Sequence, residues 1–226
     1  LARLQSEDAV LWYEEDVEIR LTAAGYSDPY YIKKWDLTMI DAQSAWNMGY
    51  MGEGITIGVI QYDWSNLDKS FADLHNQGFG SCELNYKPGV MTQAYTDLVK
   101  AASKKHNIKV TTLVGVPGTK SQWNFRKGPS TIGLVPTDER AEKLATYHEM
   151  IDFCQMAEIP AMHSHFGFIP EDPSSEQYLD FVKVMKDLGN YAKERGVMIY
   201  FETGQETPTT LIRAIQDIGT GNLFIN

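Results

Sequence analysis

The sequence predicts an α/β chain, a parallel (β/α) barrel represented by about six strands and preceded by an N-terminal appendage. Three observations lead there. From Gly54 onward, short apolar runs rich in β-branched residues alternate with longer stretches of helical spacing, the pattern of strands joined by crossover helices. The run GVMIYFETGQET (196–207) reads as an apolar strand that ends abruptly in a carboxylate, Glu202, followed by a Gly-bearing turn and the N-cap of a new helix. The first 53 residues follow neither period.

The elements follow in order. ITIGVIQ (55–61) reads as the first strand, and 66–77 as a helix closed by Gly78. SCELNY (81–86) is the second strand; the helix over 92–106 shows apolar positions at Ala94, Leu98 and Ala101. IKVTTLVGV (108–116) is the third strand, and a long polar connection, 117–137, carries Trp123, Phe125, Arg126 and Lys127. A helix then opens with Thr137 or Asp138 as N-cap and runs to about Glu158, with Leu144, Tyr147, Ile151 and Cys154 on one face. PAMHSHF (160–166) is the fourth strand and 174–195 a long helix stopped by Gly196. VMIYFE (197–202) is the fifth strand, 208–218 a helix with Pro in its first turn, and NLFIN (222–226) the start of a sixth strand. Strands alternating with helices imply βαβ units and a parallel sheet, and the even spacing favours a TIM-type barrel over an open sheet. A closed eight-unit barrel needs about 250 residues, so the domain is expected to continue past residue 226.

Composition narrows the function classes. With 226 residues, 43% of them hydrophobic and 22% charged, the chain has the make-up of a globular protein with one sizeable core, neither disordered nor collagen-like. No apolar run approaches the roughly 20 residues that span a bilayer, and no basic-then-apolar leader precedes a cleavage site, so no membrane partner is expected. Cys82 and Cys154 lack metal-type spacing and suit a reducing, cytoplasmic compartment. The net charge is −10, of which residues 1–53, with ten acidic and four basic groups, hold −6. Neither part offers the basic field that nucleic-acid backbones require.

In a parallel barrel the C-terminal end of a strand is where a side chain leaves the packed interior for the open mouth, and Glu202 is predicted there. The other reading is a Glu that caps the next helix or meets solvent. His163 and His165 lie two apart on a strand and so share a face, as do Glu83 and Asn85. Two histidines alone fall short of a metal shell, which takes three or four ligands. Glu83 could equally hydrogen-bond a neighbouring strand end. Tyr62 and Trp64, after the first strand, can wall a sugar ring or close the core. The connection 117–137 is long enough for a lid, and its cations are either a phosphate clamp or solvated loop charges.

IGVIQYDW, GFGSCELNY, KVTTLVG, MHSHFGFIP, GVMIYFETGQET and GNLFIN, at six successive strands, resemble the xylose isomerase-like TIM-barrel superfamily, in particular its sugar phosphate isomerase/epimerase branch. The resemblance implies a sugar or polyol substrate and metal-assisted proton transfer next to a carbonyl. It places on Glu202 the roles of ligand to a divalent ion (Mn, Mg or Co) and of proton-handling base. It also implies that His163, His165 and Glu83 contact substrate, beside the wall read for Tyr62, that the remaining ligands lie beyond Asn226, and that the ion is held only by the complete barrel. Enolisation needs a base beside a polarised carbonyl, and a carboxylate can serve as ligand and base together. A homo-oligomer is a possible assembly. A DNA-repair version of this barrel would demand a richer histidine set and a basic face.

Residues 1–60 resemble something else. VLWYEEDVEIRL (10–21) is similar to a propeptide tail, and SDPYYIKKWDLTMIDAQSAWNMGYMGEGITIGVI (27–60) to the mature N-terminus, of a subtilisin-like serine protease. There the strand would end in the triad Asp; here Ile60 is followed by Gln61, and no later HGT-like or GTS-like segment supplies His and Ser. The two resemblances meet in GITIGVI, as in a joined reading frame or a fusion. The expected domains are therefore 1–53, a loosely packed appendage, and 54–226, the partial barrel. Besides the isomerase, two alternatives stand: a peptidase fragment without its catalytic residues, and a barrel fragment that binds without turnover.

Overall fold

The computed structural model describes Asp41, Ser44, Asn47, Met48, the backbone of Ile60–Gln61, and residues 65–226. The chain divides into two units, Leu1–Ile55 and Thr56–Asn226. In the first, the Asp41 carbonyl accepts from Ser44 N and the Ser44 carbonyl from Met48 N, both at 3.1 Å. The rest of the subtilisin-like stretch, and Tyr62 and Trp64, lie outside the described residues.

The second unit is a six-stranded parallel sheet whose strands neighbour one another in chain order, each pair joined through a helix, in a TIM-type arrangement. The strands are β1 (Ile60–Gln61), β2 (Ser81–Asn85), β3 (Lys109–Val114), β4 (Ala161–Ser164), β5 (Met198–Phe201) and β6 (Leu223–Ile225). The helices are α1 (Leu67–Asn76), α2 (Gln93–His106), α3 (Arg140–Ala157), α4 (Glu176–Glu194) and α5 (Pro208–Ile218), with a 3₁₀ turn at Gly128–Ser130. Four of the five start where a side-chain oxygen takes up an otherwise orphaned N–H: Asn66, Thr92, Ser175 and Thr207 accept from Lys69, Tyr95, Tyr178 and Thr210.

Alternation along the strands divides the side chains between two environments. One face packs on the helices: Cys82, Leu84, Met162, Ile199 and Phe201 are buried there among Phe71, Val99, Tyr147, Met150, Phe181 and Leu211. Ser164 points the same way, its hydroxyl 2.9 Å from that of the fully buried Tyr147 on α3. The rings of Tyr147, Phe166 and Phe201 follow one another at 5.1 and 4.8 Å, locking α3 to the exits of β4 and β5. Cys82 and Cys154 are free and fully buried, and burial pushes the Cys82 thiol up to about 12.

Two sequence expectations are corrected. The buried face of α2 is Tyr95, Thr96, Val99 and Ala102, whereas Leu98 is 60% exposed and Ala94 and Ala101 face outward. The helix turns its larger apolar groups inward, one residue further along than the Ala94–Leu98–Ala101 stripe. The N-cap position of α3 is Glu139, in a left-handed conformation (φ 52°) without a side-chain cap, rather than Thr137 or Asp138. Its carboxylate instead accepts from the Thr119 hydroxyl at 2.8 Å, so it serves the preceding loop rather than the helix end.

That loop, 117–137, is stitched to the barrel. Lys143 of α3, 1% exposed, donates to the Thr131 carbonyl at 2.8 Å, and the loop's Leu134 N donates to Phe166 O at 2.7 Å. Gly133 makes this approach possible. Its φ is +70°, and a β-carbon there would sit 1.9 Å from the Phe166 carbonyl carbon. Gly133→Ala is therefore expected to destabilise the barrel by more than about 3 kcal/mol, because strain and a backbone clash add; urea unfolding of the variant against wild type measures it.

Candidate functional site at the carboxyl ends of the strands

The second face of the sheet carries the polar residues. Glu83 and Asn85 on β2, His163 on β4, Tyr200 on β5 and Phe224 on β6 occupy alternate positions to the helix-facing set, and Glu202 and Asn226 continue that alternation just past the ends of β5 and β6. The main-chain ladder runs on through these exits: Glu202 N donates to Ser164 O at 3.0 Å and Asn226 N to Phe201 O at 2.9 Å. Both side chains thus leave from registered backbone.

His163 is the centre of the group. It is 5% exposed and flanked by two carboxylates, with Nδ1 3.5 Å from Glu83 Oε1 and Nε2 3.6 Å from Glu202 Oε2. Both separations exceed a good charge-assisted hydrogen bond, and Nδ1 has no hydrogen-bond partner among the described residues. The Glu202 carboxylate is about one-third exposed and accepts at Oε2 from Asn226 Nδ2 at 2.8 Å. It does not cap α5, a role taken by Thr207.

His165 lies beyond the last residue of β4. Its ring meets that of Trp123 at 5.1 Å, inclined by 67°, and abuts the turn after Glu202, where a β-carbon on Gly204 would come within 2.8 Å of His165 Cε1. That turn is fastened to the β4 exit: Gln205 Nε2 donates to Gly167 O at 3.3 Å and to Glu206 Oε1 at 2.7 Å, and Ile169 N reaches Glu206 Oε1 at 3.5 Å. Burial lowers the His165 pKa below its ordinary 6.5, against the pull of the Glu202 and Glu206 charges.

The structure therefore brings Glu202, His163, His165 and Glu83 to one end of the sheet, and Tyr62 lies outside the described residues. Two neighbours escaped the sequence reading. Asn226 was legible only by parity, two positions beyond Phe224; Trp123 sits in a loop whose path no periodicity reveals. A cavity of about 710 Å³ lies elsewhere, between Pro129–Asp138 and the start of α4. Its Arg140 is already engaged by Asp180 and by the Val135 and Pro136 carbonyls.

Among the described residues no three His, Cys, Asp or Glu side chains are placed to hold a cation. That falls short of a complete metal shell. Among the described residues no helix is long and apolar enough to cross a membrane.

The family model for the xylose isomerase-like TIM barrel matches residues 71–226. The chain belongs to that family. No curated protein matches the chain. Solved structures of the family's fold do: a xylose isomerase domain protein from Planctomyces limnophilus is 29% identical, with a TM-score of 0.68 over 75% of this chain and 62% of that one. An L-ribulose 3-epimerase is 18% identical (TM-score 0.58; 75% and 59% covered), and a 3-keto-D-glucoside 4-epimerase from E. coli is 18% identical (TM-score 0.52; 75% and 66% covered). The chain thus spans less than two thirds of the length of these solved structures. At 18% identity the two epimerases speak for the shared architecture alone.

His165 is expected to titrate below 6.5 in the folded chain, observable in the pH dependence of its ring resonances. The sign follows: the unfolded chain binds a proton at His165 more readily, so this residue withdraws stability as pH falls below 6.5, and His165→Asn should flatten that part of the stability profile.

Proposed function

We propose that this chain is the catalytic core of a sugar isomerase or epimerase that moves a proton on the carbon next to a carbonyl, with Glu202 as the base. The observation that carries this reading is the placement of Glu202. It is a carboxylate about one-third exposed at the exit of β5, fixed by registered backbone and by Asn226, beside a buried histidine. Membership of the xylose isomerase-like family supports it.

Abstraction of such a proton needs a base within hydrogen-bond reach of one face of the carbon, held still enough that the encounter is effectively intramolecular. Asn226 restrains one oxygen of Glu202, and His163 limits where the carboxylate can swing. Returning the proton to the neighbouring carbon isomerises the sugar, whereas returning it to the opposite face of the same carbon inverts it. In this reading His163, His165, Glu83 and Tyr62 line the substrate site, and the substrate is a small sugar or polyol. Glu202 is also assigned as one ligand of a divalent ion, Mn, Mg or Co, which when bound polarises the carbonyl oxygen. The described residues supply that one ligand and not the set.

The test is hydrogen exchange. In the intact polypeptide that carries this sequence, supplied with Mn²⁺ and ketoses in D₂O, proton NMR should show loss of the signal next to the carbonyl. Glu202→Gln should slow this by at least about a hundredfold, the usual contribution of a positioned base. Undiminished exchange in Glu202→Gln rules the assignment out.

A further inference from the structure

Phe125 is 82% exposed; its ring meets that of Phe168 edge-on at 6.1 Å, and most of its surface is left to water. One exposed apolar residue is ordinary on a protein surface. This one is held in place and set among cations. The Asn124 side chain accepts from Arg126 N and Lys127 N at 3.1 and 2.9 Å, and Gly128 N donates to Asn124 O at 2.7 Å. A β-carbon on Gly128 would lie 2.6 Å from Phe168 Cε2, so the base of the loop is seated on that ring while Phe125 stays exposed. Residues 117–130 contain Lys120, Arg126 and Lys127 and no acidic group, on a chain of net charge −10. Arg126 and Lys127 are exposed and make no ion pair among the described residues.

The cavity of about 710 Å³ has the opposite make-up. Val135 and Pro136 give it apolar lining, and Asp138, Glu176 and Asp180 give it carboxylates. Asp180 is taken up by Arg140. Asp138 stands 3.9 Å from Lys120, an exposed pair worth little, and Glu176 makes no ion pair among the described residues. The recess therefore carries unspent negative charge around apolar groups. It also has ample room for a benzyl ring, since a cavity of about 150 Å³ already holds a benzene.

We propose that the loop 119–127 and this cavity are the two halves of a self-association interface. Phe125 of one copy enters the cavity of a second copy, and Arg126 and Lys127 meet Asp138 and Glu176 there. The partner is a second copy because one chain carries both halves, and their charges are complementary: the loop is a cationic exception on an acidic molecule. A two-fold arrangement makes the contact twice and closes on a pair. Each buried ring then serves as an anchor, with the charged groups at the rim setting the choice of partner. The proposal stands apart from the sugar-processing reading and does not depend on it.

The experiment is sedimentation velocity of the full chain over a range of concentrations. Wild type should form a reversible dimer, and Phe125→Ser should weaken it at least about thirtyfold, the effect of losing a buried interface anchor. Because the side chain is exposed, thermal stability of this variant should stay close to wild type, which circular dichroism checks. Charge reversal supplies the second arm. A loop-reversed chain (Arg126→Glu with Lys127→Glu) and a rim-reversed chain (Asp138→Lys with Glu176→Lys) should each sediment as monomers where wild type is dimeric. Mixed in equal amounts they should pair, because both contacts of the mixed dimer are again complementary; a merely structural defect is not repaired by mixing two defective chains. Monomeric wild type at every concentration assigns the loop and the cavity to a different protein or to another segment of the polypeptide, and overturns the proposal. A dimer that Phe125→Ser leaves intact, or a mixture that stays monomeric, overturns it as well.

Discussion

A buried imidazole between two carboxylates is the constraint around which the rest is arranged. His163 has little access to water, Glu83 approaches one ring nitrogen and Glu202 the other, and ionised carboxylates only accept hydrogen bonds. Such a group is tolerable where the barrel interior opens to solvent and costly deeper in, because an unpaired charge in an apolar layer loses its hydration. The strand exits are the one level of this sheet where both conditions meet. Three strands must deliver their side chains to that level, and they do so because parallel neighbours in chain order share a register that residue parity then reads out: His163 pairs with Tyr200 across β4 and β5, and Glu83 with Thr112 across β2 and β3.

The helix layer serves this arrangement from behind. Ser164, next to His163, points outward to Tyr147, and the Tyr147–Phe166–Phe201 stack binds α3 to the two exits that carry His163 and Glu202. Any shift of β4 against β5 would disturb that stack, so packing on one face fixes the polar geometry on the other. The loop from β3 is drawn into the same structure through Gly133 and Lys143, and its Trp123 meets His165.

How much of this was legible in the sequence depended on what each feature rests upon. Strand positions, helix ends with Asn, Thr or Ser caps, and the outward turn of Glu202 follow from period and parity, which are local. The positions of His163, His165 and Glu83 at one end of the sheet were legible for the same reason. The face of α2 was misplaced because Ala94–Leu98–Ala101 and Tyr95–Val99–Ala102 have the same spacing, and only packing chooses between them. Glu139 escaped because its side chain answers Thr119 and Lys120 in a loop rather than the helix it begins. Asn226 and Trp123 met Glu202 and His165 through tertiary contacts that no local pattern encodes.

The central claim is that Glu202 and His163 interact within one mouth. A double-mutant cycle measures this directly: urea unfolding of wild type, His163→Gln, Glu202→Gln and the double variant. Contact predicts a coupling energy of at least about 0.5 kcal/mol, as found for residues that share a polar group. Additivity of the two single effects would contradict the account, because it would mean that the two side chains do not meet in the folded chain.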